Sequence, residues 1–378
     1  MKSRTFHLLG LAHLPVSEKY GACAFTQKIV KMSKMLLSLG HKVYLYGAED
    51  SDAPCTEFIQ THTLQDIRDS WGEGDNRFDI GYDWKSNGFK VDFNTKRTDC
   101  TLKYYANCIN EINKRKKDDH YLMITQGSYQ KLIDDGVKLY MTLEHGVGYR
   151  GSYAKFRAFE SSYIQNFTYG SEHPRQSING NYYDRVIPNY YDLKDFPEDK
   201  IADTKDDYFA YVGRQIPRKG IDTAIKTCDA IGAKLKIAGQ GRYKTNSPNV
   251  EFVGYVNVEQ RFDLMSKAKA VFVPTLYLEP FGGTAVEAML SGTPVITTDF
   301  GAFPDYVNEF VGVKCNTLAD FVAATKIVED LAPDVIRYYA EEKFSLDAVG
   351  RQYHKWFSDI YNNYESTKDK TKKGWHRL

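Results

Sequence analysis

The stretch from Pro274 to Asp305 decides the fold class, and it reads PTLYLEPFGGTAVEAMLSGTPVITTDFGAFPD. The apolar run Ala270–Pro274 predicts a strand, two adjacent glycines lie in the loop after it, and a helix is expected from about Thr284. Glycine lets a backbone approach a ligand closely, and the start of a helix favours phosphate or another anion. This order of elements indicates a ligand site at the end of a parallel strand.

The same alternation of strands and helices extends outward from this stretch in both directions. In the N-terminal half, a strand at Phe6–Leu11, an amphipathic helix at Phe25–Leu39 and a strand at Val43–Tyr46 form a βαβ pattern. A second alternation begins at Tyr208, after a boundary near Ile187. The sequence therefore predicts an α/β protein with two doubly wound, Rossmann-like domains that face each other across a cleft.

The composition is that of a folded protein without a strong overall charge. The chain has 378 residues, of which 42% are hydrophobic and 26% charged, and its formal net charge is +1. This balance provides no global field for nucleic acid or an anionic membrane. No window has the roughly 18 apolar residues of a membrane span, so no integral membrane segment is expected. The six cysteines show no Cys-x-x-Cys pair and no zinc-ligand spacing, so we expect reduced thiols, no metal site and a cytoplasmic location.

Two carboxylates flank the glycine-rich loop. Glu279 precedes the glycines and Glu287 lies in the predicted helix, and both are able to accept hydrogen bonds from sugar and ribose hydroxyls. Thr284 and Glu287 also have the spacing of a capping box, in which Glu287 only bonds the backbone amide of Thr284. The sequence leaves both interpretations of Glu287 open.

A pair of cations follows the first strand of the C-terminal half. Arg214 and Lys219 come directly after the predicted strand Tyr208–Val212, where a ligand cleft is expected to open. Arginine is a planar fork and lysine a point charge, and together they suit a diphosphate. The alternative is a pair of solvated loop charges.

Three further features have structural alternatives. His145 follows a predicted strand end and is expected to point into the same cleft, although a lone histidine is usually structural. Gly21 either brings its amide near a phosphate or only makes a turn. Gly239-Gln240-Gly241 is half of a dinucleotide fingerprint, but Lys244 stands in place of the third glycine, so a tight turn is the favoured interpretation.

Together these segments resemble family four of the glycosyltransferases, the retaining members of glycosyl transferases group 1 with the GT-B fold. The resemblance spans most of the chain and is strongest from Tyr208 to Tyr306. Its most specific element is the E-x7-E motif of the family, which is matched by Glu279 and Glu287 around the segment Pro280-Phe281-Gly282-Gly283. The resemblance implies both the fold and a nucleotide-sugar donor.

The resemblance also implies roles for the charged residues. Arg214 and Lys219 match the paired cations of the family and would neutralise the charge that develops on the leaving diphosphate. Glu287 would bind the ribose hydroxyls. Glu279 would hold the donor sugar together with the backbone amides of residues 281–283.

The remaining implied contacts come from both halves of the chain. His145 would contact the sugar from the opposite domain, and Val256 would lie near the base. The catalytic residues are thus expected to be Glu279, His145, Arg214 and Lys219. The donor-binding residues are expected to be Gly21, Arg214, Lys219, Val256, Glu279, Phe281, Gly282, Gly283, Thr284 and Glu287.

We expect three segments along the chain. Residues 1–190 would form the N-terminal, acceptor-side Rossmann-like domain, and residues 191–350 the C-terminal domain that binds the nucleotide-sugar. Residues 351–378 would form a C-terminal helix, packed back toward the N-terminal domain, and a basic tail. The excursion from Trp71 to Asp99 is either functional or an irregular surface insertion, and the run Lys368–Arg377 is expected to be solvated.

The implied reaction moves a sugar from a UDP-, GDP- or ADP-sugar to a hydroxyl acceptor, with retention of anomeric configuration. We expect no divalent metal, because we identify no Asp-x-Asp sequence at the end of a predicted strand, as a metal-dependent transferase of the GT-A type would require. We also expect no cofactor beyond the nucleotide-sugar co-substrate. The alternatives are a sugar-nucleotide epimerase of the same fold and a nucleotide-sugar-binding module that has lost transfer.

The acceptor stays open among a glycan, a lipid, a small metabolite and a modified DNA base. Lys28, Lys31 and Lys34 lie on the predicted helix Phe25–Leu39. They either face an anionic membrane, which would make a peripheral membrane contact, or form a solvated helix face.

Overall fold

The computed structural model describes residues 2–20, 23–71, 98–172 and 180–368. Gly21, most of the predicted excursion from Trp71 to Asp99 and the tail after Lys368 lie outside these residues. The described helices are α1 (Ala24–Ser38), α2 (Leu64–Trp71), α3 (Asp99–Arg115), α4 (Lys131–Val137), α5 (Ser162–Glu172), α6 (Ile221–Ile231), α7 (Val258–Lys267), α8 (Gly283–Leu290), α9 (Leu318–Ile327), α10 (Pro333–Phe344) and α11 (Leu346–Lys368). The described strands are β1 (Thr5–Leu9), β2 (Lys42–Ala48), β3 (Glu57–His62), β4 (Tyr121–Ile124), β5 (Met141–Val147), β6 (Phe156–Phe159), β7 (Arg185–Val186), β8 (Phe209–Val212), β9 (Leu235–Ala238), β10 (Val250–Gly254), β11 (Val271–Val273), β12 (Val295–Thr298) and β13 (Gly312–Cys315).

The strands of the N-terminal half form one parallel sheet in the order β3-β2-β1-β4-β5-β6-β7. Its central strands are apolar and buried on both faces, because helices cover both sides of a parallel sheet. The last helix, α11, packs against this sheet through Trp356 and Phe357, which share a core with Phe6 of β1. The Tyr121 hydroxyl donates a hydrogen bond to the carbonyl oxygen of Phe357 at 2.8 Å. The end of the described chain therefore lies against the N-terminal sheet.

The strands of the C-terminal half form a second parallel sheet in the order β10-β9-β8-β11-β12-β13. The strand order reverses between β8 and β11. In such sheets, ligands bind at the carboxyl ends of the strands beside this point. The loops that follow β8, β9, β10 and β11 all begin there.

The two halves contact each other beside these loops. Ser161 Oγ donates a hydrogen bond to the carbonyl oxygen of Pro280 at 2.6 Å, and the backbone N of Ser162 donates to Asp305 Oδ2 at 2.7 Å. The Tyr191 hydroxyl, from the segment between the two sheets, donates to the carbonyl oxygen of Gly283 at 3.2 Å. The start of α8 is thus contacted by residues from outside the C-terminal sheet.

The predicted α/β class with two parallel, Rossmann-like sheets is confirmed by this topology. The strand before His145 was predicted to end ahead of this residue, whereas β5 extends from Met141 to Val147 and includes His145. Among the described helices, none combines the length and apolar character that crossing a membrane requires.

Candidate functional site

The loop between β11 and α8 turns sharply at Gly282, which precedes the first residue of the helix. Gly282 has a φ of +81°, a conformation that side chains other than glycine rarely adopt. A Cβ atom added there would lie 2.5 Å from a ring carbon of Phe303. No side chain caps α8, so the alternative that Thr284 and Glu287 form a capping box is wrong.

Glu287 instead contacts a cation of the neighbouring helix. Arg261 Nε of α7 lies 2.9 Å from Glu287 Oε2, and the two side chains are 27% and 18% exposed. A capping box between Asn257 and Gln260 fixes the start of α7 and so the position of Arg261. Arg261 was not predicted as a site residue, because a charged residue on an amphipathic helix is usually solvated.

Lys219 and Glu279 form a second ion pair. Lys219 Nζ lies 2.7 Å from Glu279 Oε2, and the side chains are 23% and 12% exposed. The Tyr277 hydroxyl donates a hydrogen bond to the same carboxylate oxygen at 2.6 Å. Lys219 therefore is not a solvated loop charge. Tyr277 is a further member of the cluster that the sequence did not single out.

An open cleft of about 540 Å³ lies at the carboxyl ends of the C-terminal strands. Arg214 is exposed and lines it. The cleft brings together four of the predicted donor-binding residues and the start of α1 from the other half. Its lining is Cys23, Ala24, Phe25, Val212, Gly213, Arg214, Gly239, Gln240, Tyr255, Val256, Arg261, Thr284 and Glu287.

His145 lies in a smaller cavity of about 150 Å³, which shares Ala24 with the cleft. The imidazole is buried, and its Nε2 lies 3.0 Å from Thr125 Oγ1. Burial and the nearby Lys28 charge lower the pKa of His145 to about 3. The imidazole is therefore neutral at physiological pH and offers hydrogen bonds instead of charge.

The lysines of α1 face other parts of the protein. Lys28 Nζ donates to the carbonyl oxygen of Gly146 at 2.7 Å and pairs with Glu160. Lys31 Nζ lies 4.3 Å from the centre of the Tyr191 ring. The third lysine of this face, Lys34, pairs with Glu18 and Asp192. All three lysines are partly buried and contact other residues of the protein, so this helix face is not fully solvated, and a peripheral membrane contact stays a prediction.

Other predicted site residues have different surroundings. Phe281 is buried and packs against Tyr306 and Phe344 in the core of the C-terminal half. Gly21 lies outside the described residues. Gly239 has a φ of +127°, and an added Cβ would lie 2.1 Å from the carbonyl oxygen of Gly213, so the tight-turn interpretation is confirmed.

One Asp-x-Asp sequence does follow a strand, contrary to our expectation. Asp50-Ser51-Asp52 comes after β2. Asp52 lies 3.7 Å from Lys19 Nζ, and neither aspartate lines the cleft.

The C-terminal half that carries the cleft resembles known proteins in sequence. Residues 194–348 match the family model of glycosyl transferases group 1. The chain is 31% identical over 171 residues to an uncharacterized glycosyltransferase of Methanocaldococcus jannaschii, an alignment that covers 38% of this chain and 42% of the relative. It is 33% identical over 138 residues to a glycogen synthase of Mycobacterium tuberculosis, covering 32% of this chain and 33% of that enzyme. The chain thus spans less than half the length of these relatives.

The likeness in structure extends over both halves. A sucrose-phosphate synthase from Thermosynechococcus elongatus superposes with a TM-score of 0.65 at 16% identity, covering 95% of this chain and 99% of that one. AviGT4, a glycosyltransferase involved in avilamycin A biosynthesis, superposes with a TM-score of 0.62 at 18% identity, covering 95% and 98%. At such identities the likeness establishes the fold, and the predicted GT-B architecture is confirmed.

Proposed function

We propose that the protein is a retaining glycosyltransferase of family four that moves a sugar from a UDP-, GDP- or ADP-sugar to a hydroxyl acceptor. The observation that carries this proposal is the cleft at the strand ends, which is lined by Arg214 and by the Arg261–Glu287 pair. Lys219 and Glu279 form an ion pair of their own and do not line this cleft. Cations suit a diphosphate, and carboxylates suit the hydroxyls of ribose and sugar. The group-1 family match of the same residues supports this assignment.

Arg214 and Lys219 have different roles in the proposed reaction. Arg214 is exposed in the cleft and meets an arriving diphosphate directly. Lys219 lies against Glu279 and is shared between that carboxylate and the phosphate when the donor binds. As the bond between sugar and phosphate breaks, both cations stabilise the negative charge that develops on the leaving group. The leaving phosphate accepts the proton of the acceptor hydroxyl.

Further donor contacts are part of the proposal. Glu287, which lines the cleft, accepts from the ribose hydroxyls, and Val256, which also lines it, lies near the base. Glu279 holds the sugar, with the amides of residues 281–283. His145 contacts the sugar from the N-terminal half as a neutral hydrogen-bonding group, because burial keeps its pKa near 3.

We also propose that neither a divalent metal nor a cofactor takes part. The domains are proposed to span residues 1–190 and 191–350, with 351–378 as the C-terminal helix and tail. The location is proposed to be cytoplasmic. The acceptor is a glycan, a lipid, a metabolite or a modified DNA base.

The proposal is tested by incubating the purified protein with UDP-glucose, GDP-mannose and ADP-glucose and following binding by calorimetry and turnover by mass spectrometry. One of them should bind and release its nucleoside diphosphate, with or without added EDTA. Glu279→Gln should abolish turnover. Asp263→Asn serves as the control, because Asp263 pairs with Lys267 on α7 and is not a predicted site residue, and it should leave turnover unchanged.

The outcomes separate the alternatives. A changed sugar that is still attached to the nucleotide would indicate an epimerase, and binding without turnover against a full acceptor panel would indicate a binding module. Loss of turnover with EDTA would contradict the metal-free reaction. An inverted anomeric configuration of the product, measured by NMR, would contradict retention.

A further inference from the structure

Two side chains meet at a single oxygen of Glu279. Lys219 Nζ lies 2.7 Å from Oε2, and the Tyr277 hydroxyl donates to Oε2 at 2.6 Å. Lys219 Nζ also lies 4.8 Å from the centre of the Tyr277 ring. The tyrosine therefore contacts both members of the ion pair, through its hydroxyl and through its ring face.

The second oxygen of the same carboxylate is left unused. Among the residues that the structure describes, none donates a hydrogen bond to Glu279 Oε1. Two donors on Oε2 fix the rotation of the carboxylate and so fix the direction of Oε1. A ligand hydroxyl is the kind of group that completes the hydrogen bonding of this oxygen.

The Tyr277 hydroxyl stays protonated and can therefore donate its hydrogen bond to Glu279. Burial, and after it the neighbouring Glu279 charge, raises the pKa of the Tyr277 phenol far above its usual value. The hydroxyl therefore donates to Glu279 throughout the range in which enzymes are assayed. The positive charge of Arg214, which lines the cleft, acts on the Tyr277 phenol in the opposite direction and lowers its pKa.

We propose that Tyr277 is a positioning residue of the donor site, which turns Glu279 so that its free oxygen receives a hydroxyl of the donor sugar. This inference rests on the proposed function and names a residue that the motif of the two glutamates does not include. Tyr277 acts through Glu279, and it contacts neither the diphosphate nor the base. It therefore contributes to recognition of the sugar and to turnover, and not to binding of the nucleotide.

The N-terminal half supplies a matched control. The Tyr169 hydroxyl donates to Asp184 Oδ2 at 3.0 Å, and Arg157 pairs with the same oxygen at 3.0 Å. The guanidinium of Arg157 lies 5.7 Å from the centre of the Tyr169 ring. The chemistry is that of the Tyr277 cluster, but this second cluster lies in the N-terminal half and contains none of the predicted site residues.

The experiment compares Tyr277→Phe with Tyr169→Phe in the full-length protein. Calorimetry gives the affinity for each nucleoside diphosphate (UDP, GDP, ADP) and for its sugar (UDP-glucose, GDP-mannose, ADP-glucose). For the pair that the wild type binds, we expect Tyr277→Phe to keep the affinity for the nucleoside diphosphate and to lose the additional affinity that the sugar provides. Turnover should fall about tenfold to hundredfold, the usual effect of removing one hydrogen bond to a charged group. Tyr169→Phe should leave both affinities and the turnover at the wild-type values.

A double variant shows whether the hydroxyl acts through the carboxylate. In Glu279→Gln, adding Tyr277→Phe should cause no further loss of sugar affinity, because the two residues act as a unit. Additive losses would overturn the proposal. So would a Tyr277→Phe protein that binds nucleotide and nucleotide-sugar as the wild type does.

Failure of the proposed function looks different. A wild type that binds none of these nucleotides or nucleotide-sugars overturns both the function and the role of Tyr277. A wild type that binds them, with a Tyr277→Phe protein that weakens both ligands equally, overturns only the positioning role.

Discussion

Two clusters of this molecule join a cation, a carboxylate and a tyrosine, and they differ in how completely the carboxylate is occupied. In the N-terminal half, Asp184 Oδ2 accepts from Tyr169 at 3.0 Å and from Arg157 Nε at 3.1 Å. Asp184 Oδ1 accepts from the backbone N of Arg157 at 2.9 Å and from Asn181 Nδ2 at 3.3 Å. Both oxygens of this carboxylate are therefore used within the protein.

The cluster of the C-terminal half is only partly occupied. Lys219 and Tyr277 both bond Glu279 Oε2, and no described residue donates to Oε1. The Glu279 side chain is 12% exposed, whereas that of Asp184 is 0% exposed. A saturated, buried carboxylate stabilises the fold, while an unsaturated and partly exposed carboxylate is available to a ligand.

The largest expected effect is on stability and belongs to the saturated cluster. Arg157→Met would leave Asp184 buried without its cation, which typically costs about 3–5 kcal/mol. Urea unfolding should show this loss, while turnover per folded molecule stays at the wild-type value. Lys131→Met, which breaks an exposed pair with Asp135, should leave the urea midpoint unchanged. If the urea midpoint of Arg157→Met were also unchanged, the proposal that the Asp184 cluster stabilises the fold would be contradicted.

The next effect is on turnover and belongs to the unsaturated cluster. Lys219→Met removes a cation that stabilises the leaving diphosphate, and a loss of about 100- to 1000-fold in turnover is expected. The urea midpoint should stay close to that of the wild type, because Lys219 and Glu279 are both partly exposed. Lys267→Met serves as the control, since Lys267 pairs with Asp263 on α7 and is not a predicted site residue. Wild-type turnover in Lys219→Met would contradict the assignment.

Glu144 sharpens the comparison, because it has an unused oxygen but is fully buried. Its Oε2 accepts from the backbone N of Tyr153 at 3.0 Å, and Oε1 has no partner among the described residues. Burial raises the pKa of Glu144 from 4.5 to about 8. An unused oxygen deep in the protein therefore leads to protonation instead of ligand binding.

This shift predicts how stability depends on pH. The folded state binds a proton that the unfolded chain releases between pH 4.5 and about 8, so the stabilisation from Glu144 is complete below this window and is lost as pH rises through it. Relative to the wild type, Glu144→Gln should gain about 3 kcal/mol of unfolding free energy between roughly pH 5 and pH 8. Urea unfolding at both pH values measures it, with the exposed Glu259→Gln as control. A difference between variant and wild type that stays constant with pH would show that Glu144 is ionised in the folded state.

The sequence predicted the framework of the site better than its pairings. Apolar strands alternating with amphipathic helices predicted two parallel sheets, and strand ends place Arg214 and Val256 at the cleft. The Arg261–Glu287 pair could not be predicted, since its partners come from different helices and no local spacing relates them. Similarly, the lysine face of α1 looked solvated because periodicity shows that a face is polar but not which part of the protein covers it.

The smallest effect concerns how two helices beside the cleft begin. Thr284 and Glu287 have capping-box spacing, but Gly282 occupies the N-cap position of α8 and no side chain caps the helix. At the start of α7, the Asn257 side chain does accept from the backbone N of Gln260, at 2.8 Å. Thr284→Ala should therefore change the unfolding free energy by less than about 0.5 kcal/mol, whereas Asn257→Ala should lower it by about 1 kcal/mol.

Urea unfolding of both variants measures this difference. The ratio of the two losses in unfolding free energy matters more than either loss alone. A conventional cap stabilises a helix through its side chain, so its loss is felt in stability alone. Thr284 lines the cleft, and its substitution should instead be seen in calorimetry with the nucleotide that the wild type binds. If Thr284→Ala destabilised the protein as much as Asn257→Ala, the hydroxyl would be serving the helix, and Glu287 would have to be reconsidered as a capping residue.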